Sequence, residues 1–197
     1  LLDNNPYIEQ NRVELFPNSI NPLPRKEQKD KDQQLLNKYQ IPLEKTLLIY
    51  GGNLGKPQGI DFLMDIIDNF YKVSNGHLLI VGNGTEYQRI RRHLDTVSPK
   101  NVGLLNMRPK EEYDRLLDIA DVGLIFLHKR FTIPNFPSRV TAYMEQSLPI
   151  LAATDRSTDL KEVLFEAKCG LWSESGDLDG FISNATKLSL DKTLRAE

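Results

Sequence analysis

The sequence predicts an α/β protein built on a doubly wound parallel sheet. Three observations lead there. Six short apolar runs recur from Thr46 onward: TLLIY, HLLIVG, NVGLL, DVGLIFL, PILAA and CGLW. A stretch with helical periodicity follows each one. The runs are also nearly continuous in apolar character, as expected of strands covered on both faces. Repeated strand–helix units imply parallel pairing with right-handed crossovers.

Residues 1–24 contain Pro6, Pro17, Pro22 and Pro24 and no sustained period, so they read as a connector. Its one strand-like piece, RVELF, stops at the turn signal Pro17-Asn18. Residues 25–197 form the domain, which opens with a charged surface helix over 25–40. TLLIY is the first strand, followed by GGNLGKPQG and the amphipathic helix IDFLMDIIDNFYKV. HLLIVG and NVGLL are each followed by a helix, TEYQRIRRHLD and PKEEYDRLLDIA. DVGLIFL, PILAA and CGLW lead into SRVTAYMEQS, DLKEVLFEA and DLDGFISNATKL.

The totals narrow the function classes. The 197 residues suffice to bury a sizeable core, and 40% are hydrophobic against 26% charged. A formal net charge of -2 offers no bulk attraction for nucleic acid. No run reaches the ~18 apolar residues of a spanning helix. Cys169 is the sole cysteine, which fits a reducing cytoplasm. His77, His93 and His128 lack Cys or carboxylate at metal-ligand spacing, so no metal site is expected. The chain starts at Leu1 rather than Met, so a longer protein is expected around it.

Ligands of doubly wound sheets sit beyond the carboxyl ends of the strands, near the switch in strand order. Four loops qualify. GGNLGKPQG supplies Gly51, Gly52 and Gly55, which permit close backbone approach, and the cation Lys56. VGNGTEY supplies Gly82 and Gly84. LNMRPKEEY carries Asn106, Met107 and Arg108, where an arginine could stack on a base or pair with a phosphate. HKRFTIPNFPSRV is long, and it leads into a helix with Ser138 as its cap and Arg139 at its amino end, a diphosphate-type arrangement. Each has a structural alternative: tight turns that need glycine, and cations that face solvent.

In chain order, VELFPNSI, YGGNLGKPQGIDFLMD, LLIVGNG, VGLLNMRPKEEYDRLLDIADVGLIFL, PSRVTAYMEQSLPILA and CGLWSESGDLDGF resemble the C-terminal domain of GT-B glycosyltransferases of family 4. The resemblance runs from about Asn11 to about Leu190, and the GNLGKPQG and PSR forms are similar to the capsule, O-antigen and colanic-acid branch. It implies a Rossmann-like half of a GT-B fold that binds a nucleotide-sugar donor such as a UDP- or GDP-sugar. Transfer would go, with retention and without metal or other cofactor, to a glycan or lipid-linked acceptor held by an N-terminal domain absent from this chain. It also implies a cytoplasmic protein, at the inner face of the membrane when full length.

Carried over by position, the resemblance makes Arg139 and Lys56 the catalytic cations. It makes Gly52, Asn53, Gly55, Gly82, Gly84, Met107, Arg108, Asn135, Ser138 and Glu145 the donor-binding set. The chain departs from the family pattern at several positions. Asn53 stands where the family has arginine, and Gln58 where it has lysine. Pro134 and Ala142 take the two places of the signature glutamates, and Glu145 lies one turn beyond. These departures keep two alternatives open: a non-catalytic nucleotide-binding or partner-docking module, and a nucleotide-sugar epimerase-like domain.

Overall fold

The computed structural model describes residues 3, 5–14, 31–131 and 136–196. Six parallel strands form one sheet in the order β3-β2-β1-β4-β5-β6. They are β1 (Thr46–Asn53), β2 (Gly76–Asn83), β3 (Val102–Leu105), β4 (Val122–Phe126), β5 (Ile150–Thr154) and β6 (Gly170–Glu174). The six apolar runs are these six strands. The strand order reverses between β1 and β4, so the ligand crevice of this architecture lies at their carboxyl ends.

Helices cover both faces. α2 (Ile60–Asn69), α3 (Tyr87–Val97) and α7 (Leu178–Leu190) pack one face, burying Phe62, Ile66, Ile90, Phe181 and Leu188 against Leu48, Tyr50 and Leu78. The opposite face takes α1 (Gln33–Tyr39), α4 (Lys110–Ile119), α5 (Arg139–Glu145) and α6 (Leu160–Glu166) over Leu47, Ile49, Leu79 and Ile125. Strand residues alternate between these two cores because side chains alternate across a pleat. α7 crosses back to the first face after β6. A short α8 (Lys192–Ala196), not expected from the sequence, follows it.

Two readings of the amino-terminal region change. Within RVELF, Arg12 closes a 3₁₀ turn (Gln10–Arg12), and Val13 and Glu14 join no strand; the rest lies outside the described residues. The expected surface helix over 25–40 is α1, a seven-residue helix capped by the Asp32 side chain at Leu35 N. Gln33, Gln34, Asn37 and Lys38 face outward, so it is a surface helix with one inward face; the rest of 25–40 before residue 31 lies outside the described residues. Leu35 and Leu36 are both 2% exposed and close the second core.

His77, on β2, is buried, and neither ring nitrogen has a hydrogen-bond partner. Burial pushes its imidazole down to about 4.

Candidate functional site

β1 does not end where its apolar run ends. It continues through Gly51, Gly52 and Asn53, paired in register with Val81, Gly82 and Asn83 of β2. The glycines expected in a loop after Tyr50 are therefore ladder residues, as is Gly82. The pairing itself demands glycine, because a Cβ on Gly82 would overlap the Gly52 carbonyl oxygen.

The glycines around the switch point receive side chains from the helices. Gly51 leaves room for the Tyr113 hydroxyl from α4. Gly123 of β4 admits the ring of Tyr143 from α5, whose Cγ would lie 2.5 Å from an added Cβ. Gly52, at φ +135°, leaves room for the guanidinium of Arg139. That guanidinium also lies over the Tyr50 ring, 4.8 Å from its centre. Arg139 thus leads a helix of one face and rests on an aromatic residue of the other. Among the described residues it forms no ion pair. Its support is a ring, not a carboxylate.

Beyond β1, Lys56–Gln58 form a 3₁₀ turn with Pro57 in its first half. Asn53 Nδ2 donates to Gln58 Oε1 at 3.1 Å, so the candidate Asn53 bonds across Gly55 to the other residue that departs from the family pattern in this loop. Lys56 is exposed. The turn docks on the segment after β4, where His128 N donates to Pro57 O at 2.8 Å. Gly84 packs against the Leu54 carbonyl, joining the ends of β2 and β1.

The remaining candidates divide. Met107 is 66% exposed at the end of β3. Arg108 turns toward α1, with its guanidinium carbon 5.5 Å from the Tyr39 ring centre and its charge acting on Glu112. Ser138 precedes α5 without a side-chain cap bond; its carbonyl accepts from the Thr141 hydroxyl at 2.8 Å. Glu145 closes α5, six residues past Arg139 and about 9 Å further along the helix axis. Asn135 lies outside the described residues. The residues that sequence reasoning passed over are Tyr50, Tyr113 and Tyr143. The i, i+4 spacing of Arg139 and Tyr143 is the one signal that places two of the group on a single helix face.

The family model for glycosyl transferases group 1 matches residues 31–197. The chain belongs to that family. No curated protein matches the group 1 chain. Solved structures do. WaaG, a glycosyltransferase involved in lipopolysaccharide biosynthesis, aligns with TM-score 0.65 and 16% identity over 85% of this chain and 44% of its own. HepE from Anabaena in complex with UDP aligns with TM-score 0.65 and 14% identity over 85% and 46%. A TarM variant from S. aureus in complex with Fondaparinux, alpha-GlcNAc-glycerol and UDP aligns with TM-score 0.63 and 15% identity over 78% and 30%. These likenesses establish the fold as the Rossmann-like type of GT-B glycosyltransferases. The chain spans less than half the length of each of these neighbours.

In this group 1 domain the crevice floor is phenolic and neutral. Burial raises the Tyr50 hydroxyl above the ordinary phenol range, opposed by the charge of Arg139 and a hydrogen bond to it. Burial likewise raises Tyr113, opposed by a hydrogen bond with Tyr143 and by the charge of Arg139. Tyr143 is raised furthest, by complete burial and by Tyr113. Arg139 is therefore the charge that acts on all three phenols. Among the described residues no group of three or more His, Cys, Asp or Glu side chains is arranged to hold a metal. No helix among them is long and apolar enough to cross a membrane. A cleft of about 620 Å³ opens at the opposite edge, between Thr46, Asp121 and Pro149 at the strand beginnings. In this architecture the ligand edge is the other one.

Proposed function

We propose that this chain is the donor-binding half of a retaining, metal-independent hexosyltransferase of family 4, of the capsule, O-antigen or colanic-acid type. It holds a nucleotide-sugar, and the sugar passes to a polysaccharide or lipid-linked oligosaccharide acceptor carried by an N-terminal domain of the full-length protein. Residues 1–24 connect the two domains. The full-length protein works in the cytoplasm, at the inner face of the membrane.

The observation that carries this reading is Arg139. A guanidinium without a carboxylate partner among the described residues lies across the carboxyl ends at the switch point. Its planar fork matches two phosphate oxygens at once. A diphosphate departing from a sugar gains negative charge, so a fixed cation there stabilises the transition state more than the ground state. Lys56 adds a point charge from the exposed turn after β1. The UDP bound by HepE and by TarM supports the same ligand class.

The Asn53–Gln58 hydrogen bond favours a second reading, a nucleotide-binding module without transfer activity. It joins two neutral side chains at positions where the resemblance implies cations. Calorimetry of the full-length protein with UDP, GDP and ADP tests the shared premise, and at least one of them should bind. A donor screen with and without lipid-linked acceptor then separates the readings. Nucleotide release that depends on acceptor supports the transferase. Binding without release under any donor supports the module. Binding of none of the three diphosphates would sink both.

A further inference from the structure

We propose that Tyr143, braced by Tyr113, is the positioning residue that aims Arg139 at the ligand; this rests on the donor-binding reading of the crevice. Arg139 is the first residue of α5, and Tyr143 follows one turn later on the same face. The Tyr143 hydroxyl donates to the Leu124 carbonyl of β4 at 3.2 Å, with the Ile49 carbonyl of β1 at 3.4 Å. Those two strands flank the switch point. One fully buried hydroxyl therefore ties α5 to both walls of the crevice.

Arg139 needs such a tie. Its contacts with Tyr50, through the ring face and the hydroxyl, and the space above Gly52 hold the end of a long side chain, and none of them fixes the rotation of the helix that bears it. A cation over a ring is attracted from a broad range of directions, unlike a bidentate carboxylate pair. Rotating α5 would swing the guanidinium off the strand ends. The tie resists that rotation, because the Tyr143 ring lies flat on Gly123 with no side chain between. Tyr113 of α4 braces the Tyr143 phenol from the side, and its own hydroxyl occupies the space above Gly51. Three glycines and two phenols thus set where one charge points.

The test is a double-mutant cycle on the full-length protein, read by calorimetry with the tightest binder among UDP, GDP and ADP. Tyr143→Phe keeps the ring and removes the hydroxyl. With Arg139 present it should weaken binding about 3- to 10-fold, the ordinary worth of one hydrogen bond. In an Arg139→Ala background it should change binding less than about 2-fold, because a residue acting through Arg139 has nothing left to aim. Tyr113→Phe should follow the same pattern, and it carries the test if Tyr143→Phe does not fold. Equal losses in both backgrounds would mean a general structural role and overturn the proposal. No loss in either background would also overturn it. The donor-binding reading fails differently: the wild-type protein would bind none of the diphosphates, or Arg139→Ala alone would leave binding intact.

Discussion

The guanidinium of Arg139 lies 4.8 Å from the centre of the Tyr50 ring, so a charge borne by α5 rests on an aromatic residue of the opposite face. Below it the rings continue inward. Tyr50 meets Phe126 at 5.3 Å, and Phe126 meets Phe181 of α7 at 5.5 Å. The charged edge of the crevice is thus seated on the apolar core itself.

Turnover of the full-length protein should depend on this charge. Arg139→Ala is expected to lower it about 100- to 1000-fold, the usual cost of losing one preorganised donor to developing negative charge. Lys110→Ala serves as the control. Lys110 is exposed and pairs with Asp114 one turn along α4, at 2.5 Å. Steady-state kinetics with a competent donor compares the two, and equal rates would remove Arg139 from the mechanism.

Gly52→Ala should be costly for two reasons. The backbone sits at φ +135°, and the added methyl would enter the space of the Arg139 guanidinium. Strain of this kind exceeds about 1 kcal/mol. Urea denaturation should register that loss. Binding of nucleoside diphosphate should fall with it, because Arg139 would be displaced. Unchanged stability and binding would contradict the contact.

Stability should fall in mild acid because of His77. Its imidazole titrates near 6.5 in the unfolded chain and at about 4 when folded. Between those values the unfolded state binds a proton that the folded state refuses. The contribution is therefore complete above the unfolded value, declines as pH drops through the window, and is gone below about 4. Its full size is about 3 kcal/mol. His77→Leu should flatten this part of the pH–stability curve measured by denaturant titration. An unaltered slope would show that other groups produce it.

α1 should behave as core. Leu36→Ala is expected to cost about 2–5 kcal/mol, the range for truncating a buried leucine. Gln34→Ala, on the exposed side of the same helix, should stay within about 0.5 kcal/mol. Thermal and urea unfolding of both variants would decide this, and equal effects would contradict the burial of Leu36.

Much of the architecture was legible because burial on both faces writes continuous apolar runs into a parallel sheet. Each of the six runs became a strand, and each expected helix after Tyr50 formed with ends shifted by a few residues. The misses have a common cause in contacts between residues distant in sequence. Nothing local says that Gly51 and Gly52 extend β1, because that depends on Gly82 arriving opposite Gly52. A glycine run read alone looks like a turn. Arg108 was legible as a cation at the ligand edge, but its contact with Tyr39 of α1 was not. Leu35 and Leu36 belong to a helix too short to display periodicity, so their burial was hidden among the charges around them. Tyr50, Tyr113 and Tyr143 drew no reading from the sequence, since their arrangement around Arg139 exists only after β1, α4 and α5 converge.

The extension of β1 has a dynamic consequence. Gly51, Gly52 and Asn53 are ladder residues registered against β2, past Ile49, the last residue of β1 paired with β4. An amide donated into that ladder, as the Leu54 N–H is to the Asn83 carbonyl, exchanges with deuterium only when the ladder opens. The bed beneath the crevice is then strand backbone held by β2. The parts left to admit and release a ligand are side chains and the chain beyond the strand ends, over a bed tied to β2.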